Sequence, residues 1–179
     1  MHGGNKEEAT KNIYLYFSYT LFPYCPVDQT SFKILLLKAE RFCAYQERCS
    51  YELMQKMKEL GADEKTTEKI ISSLKEDEYL NDERFAKLFT SGKFRIKRWG
   101  KNKIRAELRM KKISDDLISN ALDAIDEEEY RKTIQHLINK KSREVKSQNS
   151  KDKTRKIVNN LLSKGFESEL IWKCVNLKI

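Results

Sequence analysis

Proline is almost missing from this chain. Two occur in 179 residues, Pro23 and Pro26. From Val27 onward nothing forbids helix, because proline is the residue that removes an amide donor and clashes with the preceding turn. Histidine is as scarce, with only His2 and His136. The four cysteines, Cys25, Cys43, Cys49 and Cys174, include no CxxC pair. Free thiols in a reducing compartment are therefore expected, with no metal site. Cys174 falls on an apolar helical face and reads as a small core residue. No run approaches the roughly 18 apolar residues of a membrane span. Tyr14 to Phe22 is apolar and aromatic, but it has neither a basic start nor a small-residue cleavage site. A cytoplasmic protein without membrane contact is expected. Catalytic groupings are lacking as well. His136 stands between Gln135 and Leu137 with no nucleophile or orienting acid in view, and no GxxxxGK[ST] phosphate loop occurs. Neither enzymatic activity nor a cofactor is expected.

What the chain has is charge. Charged residues make up 35% and hydrophobic residues 39%, with a net charge of +9 and a pI near 9.3. An excess of one sign favours an acidic partner, either nucleic acid or a protein with an acidic groove. The apolar residues are periodic, which excludes a disordered chain. Long solvated faces over a thin core suit a repeat array or bundle.

The period shows most clearly from Leu53 to Leu74. Leu53, Met57 and Leu60 form one helical stripe, Gly61 interrupts it, and Ile70, Ile71 and Leu74 form a second. Gly61 stands where a left-handed helix C-cap belongs. The plan returns with Ile104 and Leu108 before Lys112 and Ala121 after it, then with Ile157 and Leu161 before Gly165 and Cys174 after it. The hinges at 61, 112 and 165 are spaced by roughly 50 residues, in the range of helical repeat units. Lys112 is the odd hinge, since a left-handed non-glycine residue costs about 1 kcal/mol.

The expected fold is all-α, an elongated array of three tandem three-helix repeats over residues 28–80, 81–126 and 127–179. Residues 1–27 stand apart as an aromatic arm or a non-native extension. Asn81 is expected to cap the second repeat, with Asp82 and Glu83 favouring the helix dipole. Phe85, Leu88 and Phe89 form its expected buried side, and Lys101–Met110 and Asp115–Ile125 its next two helices, Ser114 capping the latter. Residues 140–153 read as a frayed end or loop. Phe166 and Trp172 are expected to close the hydrophobic end.

The most unusual stretch is 93–112. It holds ten cations against one acid, Glu107, with Trp99 in the middle. The candidate partner-binding residues are Arg95, Lys97, Arg98, Trp99, Lys101, Lys103, Arg105 and Arg109. A basic strip carrying an aromatic suits a phosphate backbone or an acidic protein groove.

Several blocks resemble the RecX family of bacterial recombinase regulators. They are Glu47-Arg48-Cys49-Ser50-Tyr51-Glu52-Leu53, Leu80-Asn81-Asp82-Glu83-Arg84-Phe85-Ala86, Gly100-Lys101-Asn102-Lys103-Ile104-Arg105-Ala106-Glu107-Leu108 and Lys164-Gly165-Phe166. The resemblance spans about residues 30–177. Cys49, Lys112 and the aromatic arm depart from the family pattern. The resemblance implies a monomeric modulator that lies in the groove of the RecA–DNA filament and restrains its ATPase and strand-exchange activities, in DNA repair by homologous recombination and in the SOS response. The residues themselves leave a second reading open, a helical-repeat module that binds nucleic acid directly through the strip.

Overall fold

The computed structural model describes residues 29–146 and 149–176, so the aromatic arm lies outside it. The described residues form nine α-helices and no strand. They are α1 (Gln29–Tyr45), α2 (Ser50–Glu59), α3 (Glu64–Glu76), α4 (Asp82–Lys97), α5 (Lys101–Met110), α6 (Asp115–Asp123), α7 (Glu127–Glu144), α8 (Ser150–Ser163) and α9 (Ser168–Asn176). All the extensive helix–helix packing lies within the triplets α1–α3, α4–α6 and α7–α9. Each triplet is one unit, and the units follow one another as an array.

Local chemistry explains the boundaries. Side-chain oxygens of Asp63, Asn81 and Asp126 accept from the amides of Thr66, Arg84 and Glu129, at 2.7, 2.9 and 2.7 Å. Each satisfies one of the orphan amides of a helix start. Ser114 occupies the cap position of α6, but its side chain makes no cap hydrogen bond. The three hinges share one geometry. Gly61, Lys112 and Gly165 have φ of +78°, +59° and +88°. The next residue's amide then donates five residues back, Ala62 to Met57, Ile113 to Leu108 and Phe166 to Leu161. This is the Schellman closure. Lys112 therefore adopts the left-handed form despite its Cβ.

The repeated apolar positions are buried in every unit, with Cys174 half-buried as the one weaker member. Phe85 is buried as expected. Leu88 is not. It is 56% exposed, because it lies one turn beyond Phe85 at the edge of a groove that the neighbouring helices leave open. Trp172 is likewise 43% exposed and closes nothing. Phe166 is buried within the array instead. α7 and α8 take up most of residues 140–153, and α6 ends at Asp123.

The two joints between units differ. The second and third units share one continuous core, in which Tyr130 packs between Phe94 and Phe166 at ring-centroid distances of 5.6 and 5.3 Å. There the Gly100 amide donates to the Lys164 carbonyl at 2.8 Å and the Asn102 amide to the Gly165 carbonyl at 3.0 Å. A Cβ on Gly100 would lie 2.3 Å from the Gly165 oxygen. The first unit keeps a core of its own. Its joint to the second is largely polar. Asp82 accepts from the Ser50 amide at 2.7 Å and the Ser50 hydroxyl at 2.6 Å, and pairs with Lys75 at 3.2 Å. Arg84 pairs with Glu47, and Lys111 with Glu52. Asp82 is thus a latch between units as well as a first-turn charge.

Candidate partner-binding face

The basic strip is built by the end of α4, a tight turn and α5. α4 passes through Gly92 and stops at Arg98, whose φ is +53°. The amides of Arg98 and Trp99 turn back to Phe94 and Lys93 at 3.0 and 3.2 Å. This reversal lays Trp99 against the core, where it is half-buried. Its ring is flanked by the ammonium groups of Lys93 at 4.9 Å and Lys103 at 4.6 Å. Trp99 is therefore partly core and partly a platform for cations.

The eight candidate residues do not form one uniform row. Lys101 is committed to the joint. It pairs with Glu127 at 2.5 Å, its ammonium lies 5.2 Å from the Tyr130 ring, and its amide donates to the Tyr130 hydroxyl. Arg109 is tied to Asp115 at 2.8 Å, and Arg95 approaches Glu129 at 4.0 Å. The Arg109 guanidinium, through its hydrogen bond, holds the Asp115 carboxyl below its ordinary range. Arg105 hydrogen-bonds Asn102 at 3.4 Å and makes no ion pair among the described residues, though its charge helps lower the Asp115 carboxyl. Lys97, Arg98, Lys103 and Arg105 have no acid in ion-pair contact among the described residues. Cations without a local counter-ion are the ones left to attract a partner.

The joint residues went unrecognised as a cluster from sequence. Burial pushes the Asp82 carboxyl up, but hydrogen bonds from Ser50 and Lys75 outweigh it and hold it below the usual range. Burial also pushes the Cys43 thiol up to about 11 and raises Cys49. Among the described residues no group of three metal-ligating side chains converges, and no helix is long and apolar enough to cross a membrane.

Comparison with known proteins places this geometry. Residues 81–122 match the family model of the second three-helix domain of RecX, and residues 126–175 match that of the third. Together the two matches span just over half of the chain. It belongs to the RecX family. The regulatory protein RecX of Clostridium tetani is 30% identical over 141 residues, covering 77% of this chain and 64% of the relative. RecX of Clostridium perfringens is 37% identical over 119 residues, covering 65% and 55%. RecX of Lactobacillus johnsonii is 29% identical over 132 residues, covering 74% and 49%. The chain thus spans between about half and just under two thirds of the length of these RecX relatives. Among solved structures, RecX from Lactobacillus salivarius superposes with a TM-score of 0.75 at 23% identity, covering 82% of this chain and 95% of that one. A second RecX crystal structure gives 0.72 at 22% identity, covering 93% and 85%. At these identities the likeness is one of fold, and the fold is a helical repeat array.

Proposed function

We propose that this chain is a non-enzymatic, cytoplasmic regulator that docks as a monomer on the RecA–DNA filament. Docked there, it restrains the recombinase's ATPase and strand-exchange activities. The units 28–80, 81–126 and 127–179 are the docking modules. The observation that carries the reading is the group Lys97, Arg98, Lys103 and Arg105. These cations cluster at the end of α4 and along α5, Lys103 against the Trp99 ring, and none of them has an acid in ion-pair contact among the described residues. The relatives' name, regulatory protein RecX, agrees with a regulatory role.

The test reverses three exposed or half-exposed charges, Arg95→Glu, Arg98→Glu and Arg105→Glu together; of these only Arg95 approaches a neighbouring unit, 4.0 Å from Glu129. Surface changes of this kind typically cost within about 0.5 kcal/mol each, so helical content is retained. Wild type is expected to inhibit filament ATPase at low salt and less at moderate salt, since exposed charges are screened beyond about 8–10 Å at 0.1–0.15 M. The triple variant is expected to lose inhibition. Equal inhibition by both refutes the reading. Loss of naked-DNA binding with inhibition intact assigns the strip to nucleic acid.

A further inference from the structure

We propose that the groove between α4 and α5, open towards the end of α1, is a docking site for an acidic amphipathic segment of a protein partner. It goes beyond the reading above and shares only Lys97 with it. The groove has a volume of about 440 Å³, enough for a few side chains. Its apolar floor is Phe85 and Phe89, tilted against each other at 5.6 Å. Its rim carries Leu88 and Ile96, 56% and 77% exposed. These two lie eight residues apart on α4, with Gly92 midway, so all three share one helix face.

Gly92 is the second sign. It sits inside a helix, where glycine is a poor choice. A Cβ there would meet nothing within 4 Å. No packing among the described residues requires the missing side chain. The gap leaves a notch between two exposed aliphatic residues, into which a partner's side chain fits. This is the arrangement of a helix-in-groove contact, which is anchored by apolar residues at spacings of three and four.

The charges choose the partner. Lys93 and Lys97 stand one turn apart along the rim. The Lys93 ammonium is held 4.9 Å from the Phe89 ring as well as the Trp99 ring, so it is already positioned. Neither lysine has an acid in contact among the described residues. Lys111, also in the wall, is occupied by Glu52 at 2.6 Å. Glu107 is the wall's remaining acid, so the lining stays net positive. Aliphatic rim residues offer nucleic-acid bases nothing to stack on. A segment with apolar anchors on one face and carboxylates beside them meets both the stripe and the lysines.

The test uses a fluorescein-labelled peptide about fifteen residues long, with leucines at helical spacing and glutamates and aspartates elsewhere. One control peptide replaces every acid by its amide, and another replaces every leucine by alanine. The full-length chain is expected to bind the acidic, leucine-bearing peptide about tenfold more tightly than either control. Leu88→Glu with Ile96→Glu is expected to weaken binding by about tenfold or more, with helical content unchanged. Lys93→Glu with Lys97→Glu is expected to lose the acidic peptide and to prefer a lysine version of it. Equal binding of the three peptides to wild type overturns the proposal. So does undiminished binding by the Leu88→Glu, Ile96→Glu variant. A thymidine oligonucleotide that competes for the groove overturns it in favour of nucleic acid. None of these four positions is altered in the strip test, so the two ideas fail separately.

Discussion

The contact between Gly100 and Gly165 allows one substitution to be read against itself. Gly100 has an ordinary extended backbone, with φ −79° and ψ 164°. Alanine there would normally stabilise by about 0.4–1 kcal/mol, because it restricts the unfolded chain. Here the new Cβ would lie 2.3–2.4 Å from the Gly165 carbonyl and the Phe166 amide nitrogen. Both are backbone, so no side chain can swing away and the joint itself must open. Opening it loosens two hydrogen bonds, each contributing about 1 kcal/mol. Strain of the kind seen on overpacking adds about 1–3 kcal/mol. Gly100→Ala is therefore expected to destabilise by about 3–5 kcal/mol. Such a loss corresponds to a fall in melting temperature of roughly 6–20 °C for a chain of this size. Gly92→Ala makes the same chemical change where nothing lies within 4 Å. It is expected to stabilise by up to about 1 kcal/mol. Thermal unfolding followed by circular dichroism measures both. If Gly100→Ala melts at or above wild type, the close approach of the two backbones is not what joins these units.

The remaining expectations concern the other joint and the core. Asp82→Ala should destabilise the first joint by about 1–3 kcal/mol, read as an earlier first phase in urea unfolding. The Asp82 carboxyl is held below its ordinary value of 3.8 when folded. Its contribution is therefore present above about pH 4 and is lost as pH falls through the lower folded value. An acid-unfolding profile identical in wild type and Asp82→Ala would contradict this. Phe85→Ala should cost about 3–5 kcal/mol, and an unchanged melting temperature would remove Phe85 from the core. Lys112→Gly should stabilise by about 1 kcal/mol by relieving the left-handed Cβ, measured by urea midpoint. With their pKa values raised, Cys43 and Cys49 should react with a thiol reagent far more slowly at pH 8 than an unfolded control.

The helices and hinges were legible because they follow from short-range chemistry. Leu53, Met57, Gly61 and Ile70 lie within one stretch, and each copy repeats their offsets. Leu88 was misplaced because periodicity identifies an apolar face but not how far a neighbouring helix covers it. Trp172 failed for the same reason. The strip was half legible. Its cations are contiguous, but the acids that neutralise some of them are not. Asp115 is 6 residues from Arg109, Glu127 is 26 from Lys101 and Glu52 is 59 from Lys111. Only folding brings those charges together. Gly100 read as a helix break, and nothing local distinguishes a break from a residue kept small so that another backbone can touch it.

At each joint, the first amide of one unit's second helix is satisfied by the first helix of the unit after it. Ser50 donates to Asp82, and Lys101 donates to Tyr130. The array is therefore directional at both joints, the earlier unit's helix start donating and the later unit accepting. A ribosome releases it in that same direction. The second helix of a freshly made module emerges with an open end, and the next module's arrival closes it. Vectorial synthesis and spatial assembly run in register, and a misordered pairing would leave a helix start without its acceptor.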